Sequence, residues 1–389
     1  DRSEVQVLPG TFDFERTFRD VFLKMKAKKV LVAMSGGVDS SVAALLMKRK
    51  GYNVIGAFMK NWSDTKNESG ECTWKEDRRV AAKIAAKLKI PLITLDFEKE
   101  YKKEVVDKMF RLYKKGVIPN PDIDCNQKVK FPLLWKTAKI LKADYIVTGH
   151  YSRIKKTRKK HELLRAKDEG KDQSYFLYRL SQKDLKHSLF PIGDYEKTRI
   201  REIAKKNGFE NFNRKGTVGI CFIGKVNLKK FLQKKIKSKK GKIIGPEGNL
   251  VGEHDGIYYY AIGQRIGPRF GIEIERGKGK KLKRWYVARK NAGKNEIITA
   301  PEGHPLLYRK EITVEKPHWI NEVPNKNKVH RVKSRIRQVG ELLPSKLSYN
   351  KNKKQYQVML KKAITGVSEG QAIVFYSGRK VLGGGVIGF

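Results

Sequence analysis

Three groups of residues in this 389-residue chain could do chemistry. The first is Ser35-Gly36-Gly37-Val38-Asp39-Ser40-Ser41, a glycine turn rich in hydroxyls. Gly36 and Gly37 let the backbone approach an anion closely. The amides that open a following helix carry positive partial charge, and Ser35, Ser40 and Ser41 would add hydroxyl donors. The turn therefore suits a phosphate or pyrophosphate. It is not a P-loop, because no lysine follows in the required register, and the dinucleotide pattern GxGxxG is absent. The second group lies in Pro119-Asn120-Pro121-Asp122-Ile123-Asp124-Cys125-Asn126. Asp122, three residues before Cys125, could act as base for the thiol or as acid for a bound substrate. The third is Cys221, between glycines in GICFIG. Lys128, Lys130, Arg214 and Lys215 would favour the reactive thiolates of Cys125 and Cys221. Cys72 reads as a small buried apolar residue.

These groups need elements to hold them. Lys29 to Met34 is mostly β-branched or apolar, which suits a strand covered on both faces. Val42, Leu45 and Leu46 continue with helical spacing, and Gly51 is a stop. Strands are expected again at Asn53–Trp62, Pro91–Phe97 and Asp144–Thr148, with helices at Trp74–Leu88, Lys99–Tyr113 and up to Leu141. This alternation predicts an α/β fold with a parallel sheet and helices on both faces. Ligands sit at the carboxyl ends of such strands. Ser35-Gly36-Gly37, Met59-Lys60 and Gly149-His150 all fall there. Phe12 to Met25 could form an amphipathic lead-in helix, and Ile154 to Lys167 a basic hairpin. Gly245 to Gly263 has the glycine and tyrosine density of a small β unit. From Trp285 onward, short alternating segments favour a β-barrel. The expected domains are 1–224, 225–284 and 285–389.

Composition narrows the partners. The formal charge is +46, with 86 Lys and Arg against 40 Asp and Glu, which points to a polyanion, nucleic acid first. No apolar run approaches the roughly 20 residues of a membrane span, so no membrane partner is expected. Three cysteines without a CxxC pair argue against a zinc ribbon and a secreted disulfide scaffold. DRSEVQVLPGTF is not a signal peptide. The Asp start and the sequence pI of about 10.1 suggest a lost presequence and the mitochondrial matrix, with a bacterial-type cytoplasm as the alternative.

SGGVDSS after a buried strand resembles the signature of the ATP pyrophosphatases, which split ATP between the α and β phosphates. SGGVDSS, FMKNW, PNPDIDCN, TGHYSR, KDQSYFLY, GICFIG, GQR and GQAIVFY, in that order, resemble the tRNA-specific 2-thiouridylases from about Lys28 to the end. That resemblance implies ATP, with Mg²⁺, at Ala33, Met34, Ser35, Gly36, Gly37, Val38, Asp39 and Ser40, and adenosine against Met59 and Gly149. It implies the target uridine of tRNA at Asn120, Pro121 and Asp122, with Asp122 as acid–base residue. Cys221 would carry a persulfide and Cys125 would resolve it. His150, Lys171, Asp172 and Gln173 would contact tRNA near the flipped base, and Arg335 and Gln371 would do so from the barrel. The sulfur would come from a persulfide donor such as a cysteine desulfurase or a sulfur-relay protein, and a monomer is expected.

Three departures from the family pattern stand out. Gly216 replaces the acidic residue five places before the second cysteine. Arg335-Ile336-Arg337-Gln338 stands where RYRQ is usual, and the chain is unusually rich in lysine. The rival readings are another ATP-pyrophosphatase, such as an amide-forming ligase, and a noncatalytic RNA-binding protein on a retained nucleotide fold. A third concerns mechanism, with an iron–sulfur cluster on Cys72, Cys125 and Cys221.

Overall fold

The computed structural model describes residues 27–65, 72–214, 223, 227–267 and 284–389. Cys221, Gly216 and the expected Phe12–Met25 helix lie outside the described residues.

The first domain is built on β1 (Lys29–Ala33), β2 (Asn53–Lys60), β3 (Leu92–Asp96), β4 (Tyr145–Val147) and β7 (Ser188–Leu189). All four pairings are parallel, in the order β3-β2-β1-β4-β7. The sheet is covered on both faces, and period-two alternation sorts its side chains. Val30, Val32 and Met34 join one core, while Leu31, Ala57 and Met59 join the other. Sequence reading missed β7, because two residues carry no periodicity. Strand order reverses between β1 and β4, which is where open α/β sheets form their ligand crevice.

Helix α1 (Val38–Arg49) starts from extended Gly37, with Asp39 in its first turn and Lys48 and Arg49 in its last, as the helix dipole favours. Helix α2 (Thr73–Lys87) follows β2, and α3 covers 98–114 with a π-helical stretch at Lys102–Val106. Helix α4 covers 121–140. Pro121 at its first position loses nothing, since that amide would be unpaired in any helix. Asn120 caps it by accepting the Ile123 amide at 3.3 Å. Helix α5 (Lys197–Lys206) packs against α1.

The central unit holds β8 (Gly241–Ile244), β9 (Leu250–His254), β10 (Arg265–Ile266), β11 (Trp285–Asn291) and β12 (Glu296–Pro301), ordered β10-β11-β12-β8-β9. This corrects the expected boundary at 284/285. β12 pairs in parallel with β8 and buries Ile297 with Ile243 and Val287, so Trp285 to Pro301 belongs to the central sheet. Local alternation names a strand but not its partner.

The last domain is a closed six-stranded barrel. Strands β13 (Tyr308–Trp319), β16 (Gln355–Thr365), β15 (Leu343–Asn350), β14 (His330–Arg335), β17 (Ala372–Ser377) and β18 (Lys380–Gly388) pair in that order, and β18 returns to β13. Closure removes the exposed edges. The first domain reaches across to it. Its hairpin of β5 (Ser152–Lys156) and β6 (His161–Arg165) joins the barrel sheet through Leu164 opposite Lys380, and Arg165 donates its amide to Arg379 at 2.8 Å.

Candidate active site

The turn after β1 is held from below. Gly36 has φ +76°, in the left-handed region, and a Cβ there would stand 3.1 Å from the Asp77 Cα and closer still to its carbonyl oxygen. Asn211, 4% exposed, donates to the Gly36 carbonyl at 2.8 Å and to Ser41 Oγ at 3.0 Å. Arg214 pairs with Asp77 at 2.7 Å and Glu76 at 3.3 Å. Burial pushes the Asp77 carboxyl above its ordinary range, against the pull of Arg214.

The serines correct the sequence reading. Ser40 and Ser41 are buried and donate their hydroxyls inward to the Gly37 carbonyl, at 2.9 and 3.1 Å. They shape the turn, and Ser35 is the exposed hydroxyl. No side chain caps α1, so the positive end of the helix is left to backbone amides. Asp39 accepts from Tyr151 Oη at 2.8 Å and from Lys197 Nζ at 2.6 Å. Burial, then the Asp39 charge, holds the Tyr151 phenol far above its ordinary value, so it stays a donor. Gly149 lies against α1, where a Cβ would meet the Ser40 nitrogen at 2.8 Å. Met34 donates its amide to Ala57 at 2.8 Å, which brings the ends of β1 and β2 together beside buried Met59. Ala33 is half-buried there, and Val38 is buried at the start of α1.

The second group opens α4. Asn120, Pro121 and Asp122 are half-buried, whereas Cys125 is fully buried with Trp62, Tyr101 and Val129. Cys72 and Cys125 carry free thiols, so no disulfide joins described residues. A π-helical stretch, Cys125–Lys130, begins at the cysteine. Asp124 was missed by sequence reasoning. It is 5% exposed and pairs with Lys108 at 2.6 Å and Arg179 at 3.4 Å. Two residues apart on a helix point to nearly opposite sides. Asp122 and Asp124 therefore part, and spacing alone does not say which one turns inward.

His150 links the two groups. It follows Gly149 at the end of β4, its Nε2 lies 3.4 Å from Lys130 Nζ, and its ring stacks on Phe131 of α4. The nucleotide-like turn and the cysteine-bearing helix thus meet across two adjacent residues, Gly149 against Ser40 and His150 against Lys130 and Phe131.

Family models match the whole of this layout. The tRNA methyl transferase HUP domain matches residues 28–225, the tRNA methyl transferase PRC-barrel domain 229–301, and the aminomethyltransferase beta-barrel domain 309–387. The chain is 41% identical over 362 residues to the tRNA-specific 2-thiouridylase MnmA of Vesicomyosocius okutanii, covering 93% of this chain and 98% of that one. It belongs to the tRNA-specific 2-thiouridylase family. The MnmA proteins of Coxiella burnetii and Bacillus licheniformis are each 41% identical, covering 92% of this chain and 97% and 94% of theirs.

Residues that the family resemblance placed on tRNA are divided by the structure. Lys171 is exposed. Gln173 is half-buried and accepts the Tyr151 amide at 2.9 Å. Asp172 and Arg335 are not surface contacts. They are 1% and 4% exposed and pair with each other at 2.8 Å. Asp172 also accepts from Ala166 N, Ser174 N and Ser174 Oγ at 3.0 to 3.2 Å, and Gln338 donates to its carbonyl. Arg335 reaches across from the barrel, so the pair joins two domains. Gln371 donates to the carbonyls of Ile118 and Pro119. Among the described residues, no three His, Cys, Asp or Glu side chains group as a metal site.

His150 also makes a pH prediction. Burial, reinforced by the Lys130 charge, lowers its pKa well below the ordinary histidine value. Its Nδ1 lies 2.6 Å from Thr148 Oγ1. The folded state then binds fewer protons than the unfolded state as pH falls through about 6.5. Stability is therefore full above that pH and declines below it, by at most about 1.4 kcal/mol per pH unit from this group. Denaturant titrations from pH 7.5 to 5 should show a steeper loss for the wild type than for His150→Gln.

Proposed function

We propose that the protein is a tRNA-uridine 2-sulfurtransferase that converts the wobble uridine, position 34, to 2-thiouridine. The observation that carries this reading is the meeting of the SGGVDSS turn and the Cys125 helix at Gly149-His150, in a chain whose three domains the family models match between residues 28 and 387.

The chemistry follows from the groups present. The O2 of uracil leaves poorly as oxide. Attack of O2 on the α-phosphorus of ATP makes it a good leaving group and releases pyrophosphate. The Gly36-Gly37 backbone and the uncapped start of α1 suit that anion. Mg²⁺ would come with the phosphates of ATP. Lys197 offsets the negative charge of Asp39 beside the turn. The terminal sulfur of a Cys221 persulfide then adds to C2 and AMP leaves. Attack of the Cys125 thiolate on the Cys221 sulfur leaves the outer sulfur on the base and forms a disulfide, which an external thiol reductant resets. In the alternative order, Cys125 first releases the outer sulfur as hydrosulfide, and this attacks C2. Asp122 is the acid–base group at the base. A uracil in the anticodon stack cannot be reached at C2, so it must be turned out.

Loading of Cys221 calls for a persulfide donor of the cysteine desulfurase or sulfur-relay class. The protein would act on tRNA as a monomer. The charge of +46 supports a tRNA partner. The relatives named above are bacterial, which favours a bacterial-type cytoplasm and gives no support to the mitochondrial matrix. No described helix is long and apolar enough to cross a membrane. An iron–sulfur cluster gains no support from the described cysteines, since Cys125 is packed among apolar side chains.

The test combines protein, ATP, Mg²⁺, a persulfide source and unmodified tRNA, with nucleosides read by mass spectrometry. Wild type should yield 2-thiouridine and AMP, and Cys125→Ser and Cys221→Ser should yield no thionucleoside from persulfide. AMP without thionucleoside would mean a different acceptor. Neither product from a folded sample would favour the RNA-binding reading.

A further inference from the structure

We propose that Gln371 is a positioning residue, through which the barrel sets the segment that carries Asn120, Pro121 and Asp122. Its activity readout rests on the sulfurtransferase reading.

The segment needs an outside hand. Pro119 and Pro121 have no amide hydrogen, so 118–121 lacks two of the donors with which a turn ties itself down. Its carbonyls must be met from elsewhere. Gln371 Nε2 donates to the Ile118 and Pro119 oxygens, both at 3.0 Å. One side-chain amide thus holds two successive peptide units from more than 250 residues away.

Gln371 is itself rigidly placed. Its carbonyl accepts the Ile387 amide at 2.8 Å, and Gly370 donates to Ile387 at 3.0 Å, so both belong to the barrel ladder. Gly370 has φ +84° and lies so close to the segment that a Cβ would stand 2.9 Å from the Ile118 oxygen. The next residue extends the joint, since Tyr175 Oη donates to the Ala372 carbonyl at 3.0 Å. Barrel residues Gly370 and Gln371 therefore hold 117–119, and Asp122 and Cys125 follow within the first turns of α4.

The test uses the full-length protein and Gln371→Met, which keeps side-chain length and removes the donor. At saturating ATP and tRNA, the single-turnover rate of 2-thiouridine formation should fall about tenfold or more, since small misplacements of reacting groups carry that penalty. The Kd for tRNA should stay within about twofold, because no charge is lost and phosphate contacts dominate such affinities. Hydrogen exchange at 117–126 should quicken while the barrel strands stay protected. In Gln371→Glu, the rate relative to wild type should rise as pH falls, since only the protonated acid can donate to a carbonyl. A tenfold weaker tRNA Kd with an unchanged single-turnover rate would overturn the proposal in favour of direct contact. Unchanged rate, affinity and exchange would overturn it as well. If wild type makes no thionucleoside, the activity reading fails on its own, and unchanged exchange in Gln371→Met would still overturn the strut.

Discussion

Asp172→Asn should destabilise the protein by about 3–5 kcal/mol, the range for breaking a buried ion pair by removing one partner. The reason is the set of charges around it. Asp172 lies 2.8 Å from Arg335 and 3.5 Å from Arg165, and the side chains of all three are at most 8% exposed. Removing the carboxylate charge leaves two buried guanidinium groups, with only the exposed Glu169 near Arg165 at 3.2 Å. Arg335→Met should be milder. Asp172 then keeps Arg165 and its bonds from Ala166 and Ser174, and the methionine can pack beside Tyr376, over which the guanidinium now sits. The double variant should be less destabilised than the sum of the two, because the second change removes a charge that the first left unpaired. Urea unfolding of the four proteins measures this cycle. An Arg335 that served tRNA instead would give near-native stability in Arg335→Met and a shallower salt dependence of tRNA binding. Additive losses below about 1 kcal/mol each would likewise sink the buried-lock account.

That lock marks where sequence reading stops. The parallel sheet is legible because Lys29–Ala33 and Asn53–Lys60 are apolar runs between turn residues, and burial on both faces demands such runs. The glycine turn is legible because the whole string Ser35 to Ser41, not the two glycines alone, directly follows a buried strand. Partner choice is what composition leaves out. Asp172 and Arg335 are 163 residues apart, and their types fit a phosphate contact as well as each other. Ser40 and Ser41 are donors in any reading, but only the fold shows that they donate to Gly37. Lys197 gave no signal, as one of 86 Lys and Arg, yet it holds Asp39. Asn211 gave no signal, and Arg214 reads in the sequence as a charge favouring a thiolate, whereas it pairs with Asp77 and Glu76. Their bonds to Gly36 and to Asp77 tie residues 211–214 to the nucleotide turn.

The same turn supplies the second large effect. Gly36→Ala should lower ATP-dependent AMP formation by at least about a hundredfold, the scale of loss when reacting groups are displaced by about an ångström. Two costs combine. An alanine at φ +76° sits in the left-handed region, which costs about 1–2 kcal/mol. Its methyl would also press on the Asp77 backbone, with the Cα at 3.1 Å, and backbone cannot rotate away as a side chain can. Either α2 shifts, carrying Asp77 and its pair with Arg214, or the turn moves off the end of α1. Gly37→Ala is the matched control. Gly37 has φ −80°, open to any residue, and a Cβ there meets only Ser35 Oγ at 3.4 Å. Its melting temperature should stay near the wild-type value. Any loss of ATP binding in Gly37→Ala would then report the approach of a phosphate to that position, not damage to the fold. Equal activity and stability in all three proteins would mean that the turn is not held as tightly as the Asp77 contact requires. Calorimetric ATP binding beside AMP release separates these outcomes. A turn that only joins a strand to a helix would lose stability in Gly36→Ala without any nucleotide binding to lose.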